Sequence, residues 1–144
     1  MSDGPRTLRF TTVLLAPPPD VFLALTEAEH LERWFCDRAT SAGGVGGRVT
    51  FRWTRPGASA DAYEGQWDVF DAPHACAYSG GHAGYPNGDA GRIAFRLEPD
   101  GPGTRLHTTH TFPPNPEYGP IADRYDAAWR RALERLGHHL APQG

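Results

Sequence analysis

The sequence predicts an α+β domain in which a curved antiparallel sheet of about six strands wraps around one long C-terminal helix, with two short helices after the first strand. Three observations carry this reading. Between Leu14 and Phe35, LLAPPPDVFLALTEAEHLERWF, the hydrophobic period switches from that of a strand to that of helices within a few residues. From Arg48 to Phe112, runs of alternating apolar and polar residues are separated by Gly- and Pro-containing turns, as in a meander. From Tyr118 onward the apolar residues recur at three and four, as on one face of a helix.

The first strand is expected where Leu8, Phe10, Thr12 and Leu14 alternate with Arg9, Thr11 and Val13. Pro17, Pro18 and Pro19 end it, because proline cannot donate to a ladder but is pre-set for a helix's first turn; Asp20 favours that helix's positive end. Val21, Phe22 and Leu25 give the first helix its inward side. Thr26 and Glu29 have the spacing of a capping box, which places a second helix from about Glu27 to Phe35 with Leu31, Trp34 and Phe35 as its apolar side.

Gly43, Gly44, Gly46 and Gly47 lead into a strand at Arg48–Thr54, where Val49, Phe51 and Trp53 alternate with Arg48, Thr50 and Arg52. Arg55–Asp61 reads as a turn. Tyr63, Trp67 and Val69 then share one strand face, with Glu64, Gln66 and Asp68 on the other. After a turn at Asp71–Pro73 comes a weaker strand, His74–Tyr78, and then a Gly-rich loop, Gly80–Gly91, that carries His82, Tyr85 and Pro86. Ile93, Phe95 and Leu97 mark the next strand, Pro99–Gly103 turns it back, and Leu106, Thr108, His110 and Phe112 share a face of the last. Pro113, Pro114 and Pro116 stop it. From about Tyr118, where the closing helix Tyr118–His139 begins, a stripe of Ile121, Tyr125, Ala128, Trp129, Ala132, Leu133 and Leu136, continued by Leu140, lies opposite Asp123, Arg124, Arg130, Arg131 and Glu134.

The 144 residues fit one domain spanning 1–144, and a domain of this size buries about 70% of its unfolded surface, so no disulfide or metal staple is required. All 14 basic residues are arginines, scattered among 17 acidic ones for a net charge of −3, which leaves no electrostatic footprint for nucleic acid or an acidic membrane. Cys36 and Cys76 are too few for a disulfide framework. No charged-then-apolar leader opens the chain and no apolar run approaches membrane-spanning length, so a cytoplasmic location is expected.

The order of these segments resembles the helix-grip superfamily of START-like, birch-pollen-allergen-like and polyketide-cyclase-like (SRPBCC) domains. More closely, it resembles single-domain bacterial homologues of the heat-shock-protein ATPase activator. The likeness covers nearly the whole chain and is carried by APPPDVFLALTEAEHLERWF at Ala16–Phe35, GGRVTFRW at Gly46–Trp53, YEGQWDVFDAPHACAYS at Tyr63–Ser79, GTRLHTTHTF at Gly103–Phe112 and AWRRALERLGHHL at Ala128–Leu140. The chain departs from the family where Phe35 stands in place of a second tryptophan and Ala128 in place of a glycine before Trp129. The resemblance implies a helix-grip fold with a hollow between sheet and long helix that takes an apolar small molecule in many relatives.

Sites of other chemistries find little support. His107 and His110 are an odd number apart on one strand and point to opposite faces, so they cannot chelate together, while His138 and His139 near a helix C-terminus are explained by its dipole; no metal and no cofactor are expected. Cys76 packs as a small apolar residue, and Cys36 is a reactive thiol only if exposed beside Arg33 or Arg38. The glycines lack phosphate-loop spacing, and Ser41, Ser59 and Ser79 lie in no nucleophile elbow.

What remains is a hollow lined, by strand parity and helical phase, by Phe51, Trp53, Trp67, Tyr78, Phe95, His110, Tyr125 and Trp129, with Gly80–Gly91 as its mouth. This points to a carrier or sensor of an apolar aromatic or acyl ligand. A cyclase-, aromatase- or hydrolase-like enzyme would use His110 as general acid or base with a partner such as Tyr78, Tyr125 or Glu64, although parity turns Glu64 outward. A chaperone-interacting protein is the third reading and calls for a large exposed apolar patch. The expected partner is an apolar small molecule rather than nucleic acid or membrane, with the chain a monomer or homodimer.

Overall fold

The computed structural model describes residues 6–53, 61–81 and 85–141. The chain runs β1 (Thr7–Leu14), α1 (Pro18–Thr26), α2 (Ala28–Trp34), β2 (Arg38–Ser41), β3 (Arg48–Trp53), β4 (Asp61–Asp71), β5 (Ala75–Gly81), a short 3-10 turn at Pro86–Gly88, β6 (Arg92–Asp100), β7 (Gly103–Thr111) and α3 (Tyr118–Leu140). The strands form one seven-stranded sheet in the order β1-β7-β6-β5-β4-β3-β2, and each neighbouring pair is antiparallel. Among the described residues no helix is long and apolar enough to cross a membrane.

Two rows of inward side chains show how the sheet holds α3. One crosses it as Trp67, Tyr78, Ile93, His110 and Leu8, each opposite the next; the adjacent row is Phe70, Cys76, Phe95, Thr108 and Phe10. Along four strands the rows are two residues apart, as pleating demands, but on β4 they are three apart. A bulge between Trp67 and Val69 inserts the extra residue. It overturns the expected pattern there: Val69 leaves the face of Trp67, and Phe70 takes its place, ring to ring with Trp67 at 5.3 Å and with Phe22 of α1 at 5.2 Å.

Three further expectations are corrected. Residues 38–41 form a seventh strand, paired with β3, that shows no apolar alternation because it is a short, half-exposed edge. Thr26 caps nothing: it is the last, buried residue of α1, its hydroxyl donates back to the Phe22 carbonyl at 2.7 Å, and Glu27 stands at the N-cap of α2 without a side-chain bond. On α3, Ala128 is exposed and Ala122 buried, so the stripe runs through Ile121, Ala122, Trp129, Ala132, Leu133 and Leu136. The turn expected at Arg55–Asp61 and the His82 part of the Gly-rich loop fall largely outside the described residues.

Candidate functional site

The interior between the sheet and α3 is a continuous field of aromatic rings. Trp53 meets Phe51 at 6.0 Å, Phe51 meets Tyr78 at 5.4 Å, and Tyr78 meets Trp67 at 5.4 Å and Phe95 at 6.5 Å. Phe95 reaches Trp129 at 6.0 Å; Trp129 reaches His110 at 6.2 Å, and His110 reaches Tyr125 at 4.8 Å. All eight side chains named from the sequence thus belong to one network. Sequence parity left out several of its members, among them Phe35 and Tyr63. Phe35, at the C-terminal end of α2, stacks on Trp129 at 5.6 Å and lies 4.8 Å from Phe51; Tyr63 lies 5.6 Å from both Phe51 and Tyr78. Tyr63 shared the face of Trp67 in the sequence pattern, which was the available signal.

Each indole N–H in this protein is satisfied internally. Trp34 donates to the Ala24 carbonyl at 2.8 Å, Trp53 to the Phe35 carbonyl at 2.7 Å, Trp67 to the Ser41 hydroxyl at 3.1 Å and Trp129 to His110 Nδ1 at 3.0 Å. His110 Nε2 donates in turn to the Ala90 carbonyl at 2.6 Å. Both ring nitrogens are therefore engaged, one as acceptor and one as donor, which is the neutral imidazole. Burial disfavours its cation and lowers its pKa from 6.5 to about 4, against the smaller opposing pull of the Ala90 carbonyl. A tryptophan, not the tyrosine expected, is the histidine's side-chain partner. Tyr125 instead makes a short hydroxyl contact with Tyr85.

Within the segment expected to form a mouth, the described residues Tyr85–Gly91 are pinned to the start of α3. Tyr118 donates to the carbonyls of Pro86, at 3.1 Å, and Asp89, while Tyr85 meets Tyr125. Among the described residues two buried hydroxyls have no hydrogen-bond partner: those of Tyr63 and Thr108. Tyr63 is 4% exposed and Thr108 fully buried on the row beside His110. Burial pushes the Tyr63 and Tyr78 hydroxyls well above the ordinary tyrosine pKa, so both stay protonated.

The remaining candidates separate from this interior. Glu64 is exposed and paired with Arg48 at 2.9 Å, as its parity implied. Cys36 is buried, with its thiol on the carbonyls of Leu31 and Arg38, and burial pushes its pKa up to about 12; Cys76 is likewise buried and pushed up to about 12. Neither is a poised nucleophile. His107 lies on the other sheet face near Glu98 and Thr11. His139 does more than complement a dipole: its Nε2 is hydrogen-bonded to Nδ1 of His30 on α2 at 2.8 Å. Among the described residues no group of three or more His, Cys, Asp or Glu side chains is arranged to hold a metal ion. On the solvent side of the sheet an open concavity of about 400 Å³ lies over Val69, Ala77, Ala94 and Thr109, rimmed by Arg9, Arg92 and Arg96.

Comparison with known proteins agrees with this architecture. Residues 15–141 match the family model described as Activator of Hsp90 ATPase homolog 1-like protein. No curated protein matches the chain by sequence. Among solved structures, protein MLL2253 from Mesorhizobium loti superposes with a TM-score of 0.80 at 20% identity, over 94% of this chain and 96% of that one. The Aha1 of Colwellia psychrerythraea, solved as a dimer in solution, gives 0.77 at 18% identity, over 94% and 96%. CalU16 from Micromonospora echinospora gives 0.74 at 22% identity, over 99% and 81%. At these identities the likeness is one of fold.

Proposed function

Because the chain belongs to the Activator of Hsp90 ATPase homolog 1-like family and sets aromatic side chains of its sheet against the long helix, we propose that it is a carrier or sensor of a small ring-bearing ligand held between the two. The observation that carries this reading is the continuous aromatic network from Trp53 to Tyr125, with no charged side chain among its members. Its walls are Phe51, Trp53, Trp67, Tyr78, Phe95, His110, Tyr125 and Trp129, and Tyr85–Gly91 lies at its entrance. Rings stacked edge to face offer a ligand large apolar contact at about 25 cal/mol per Å² buried. They offer little acid-base chemistry, since His110 has both nitrogens engaged.

Native mass spectrometry of protein purified from its own host tests this: a co-purified mass of a few hundred daltons supports a carrier. Ligand-free protein that turns over aromatic ketide substrates would instead favour a cyclase-like enzyme. Pairing of two copies, as in the Colwellia neighbour, is tested by sedimentation of the same sample.

A further inference from the structure

The interior is apolar except at a few hydroxyls and one imidazole, and several of these are satisfied from within. Thr26 donates to the Phe22 carbonyl and Thr104 to the Ala16 carbonyl, each at 2.7 Å, and His110 is held at both nitrogens. Among the described residues the hydroxyls of Tyr63 on β4 and Thr108 on β7 are different: both are buried and have no partner, and of the two it is Tyr63 that carries its hydroxyl on a ring reaching away from the backbone. An unpaired buried hydroxyl is costly to keep, so its retention calls for an occupant that completes it.

The fold makes room for this side chain in particular. A Cβ at position 65 would come within 2.9 Å of Tyr63 Cε1, so Gly65 leaves the space over which the ring lies. Phe51 and Tyr78 fix the ring from two sides, both at 5.6 Å. The hydroxyl is therefore presented from a rigid base. An anionic ligand group placed at Tyr63 would lose its own hydration among rings that offer no cation in exchange. A phenolic hydroxyl that stays protonated donates better than it accepts, because its lone pair is shared with the ring.

We infer that Tyr63 is the polar anchor of the interior and that it selects neutral ring compounds bearing an acceptor oxygen, such as an aryl or ring ketone, over carboxylates and plain hydrocarbons. The inference rests on the reading that the interior takes a small ligand. It narrows that ligand from the wider class of aromatic or acyl molecules, since a fatty acid would bring a carboxylate.

Three probes of matched shape test it by calorimetric titration: 2-acetylnaphthalene, 2-isopropenylnaphthalene and 2-naphthoate. On the wild-type protein the ketone should bind about five- to tenfold more tightly than the hydrocarbon, the value of one net hydrogen bond, and the naphthoate most weakly. In Tyr63→Phe the ketone and hydrocarbon should become equal while hydrocarbon affinity is unchanged, and the ligand-free variant should have a higher denaturation midpoint, because an unpaired hydroxyl has been removed. Infrared spectroscopy of the wild-type complex needs no variant: the bound ketone's C=O stretch should lie at lower frequency than in an apolar solvent. If the hydrocarbon binds wild-type protein as tightly as the ketone, or the ketone's advantage survives in Tyr63→Phe, the anchor is wrong while the ligand-binding reading stands. If none of the three binds, the ligand-binding reading itself fails.

Discussion

The Trp129 indole donates to Nδ1 of His110 at 3.0 Å, and through that bond the long helix reads the protonation state of a strand residue. A proton can be added to His110 only where the indole now donates, so the helix–sheet contact and the neutral imidazole stand or fall together. Phe112 stacks on the other side of the ring at 4.0 Å, which closes off any rotation that would rescue the cation.

This makes His110 a source of pH dependence. Its pKa is lowered from 6.5 in the unfolded chain to about 4 in the fold, so the contribution to stability is complete above about pH 6.5 and is lost as the pH falls toward 4. The loss from this group should be about 3 kcal/mol across that window. His110→Gln, which keeps a donor for the Ala90 carbonyl but does not titrate, should be less stable at pH 7 and show a flatter stability profile between pH 6.5 and 4 in denaturant unfolding.

Trp129 is 3% exposed and touches Phe35, Phe95 and His110. Trp129→Ala should cost about 3–5 kcal/mol as a core truncation that also strips His110 Nδ1 of its donor. An unchanged urea midpoint would show that the residue is not core.

Gly65→Ala should destabilise by about 1–3 kcal/mol, because its Cβ would fall 2.4 Å from the Ser79 carbonyl oxygen, a backbone atom that cannot step aside, and 2.9 Å from Tyr63. Thermal unfolding of the variant measures it.

The His30–His139 bond ties α2 to the last turn of α3 and requires at least one lone pair between the two rings. Burial and the neighbouring charges of His30 and Arg33 lower the His139 pKa, so the tie is present at neutral pH and lost in acid. Glu27 is the acidic group that faces it, 4.0 Å from His30. Hydrogen exchange at Leu136–Leu140 should be faster in His139→Ala than in wild type at pH 7, and the difference should shrink as the pH is lowered.

Most of the fold could be read from periodicity, because β1, β3, β6, β7 and α3 each place one apolar side against the core. What escaped depended on partners distant in sequence. Arg38–Ser41 is a strand only because β3 pairs with it, and its own residues are polar. The exchange of Val69 for Phe70 follows from a two-for-one pairing with β5 that no local pattern announces. Parity placed His110, Phe95 and Tyr78 correctly in the interior, yet that His110 is bonded to Trp129 rather than to a tyrosine is a matter of packing. Tyr63 illustrates the limit most clearly: its face was readable, but being unpartnered is a property of everything around it.

The central claim is that the aromatic interior takes a ring-bearing ligand, and calorimetric titration of a panel of neutral naphthalene derivatives at several temperatures tests it most directly. The account predicts saturable one-to-one binding with a negative heat-capacity change, the mark of apolar burial, and weaker binding of every member to Trp67→Gln. Absence of binding by any member would contradict it, as would turnover that His110→Ala abolishes while leaving affinity intact.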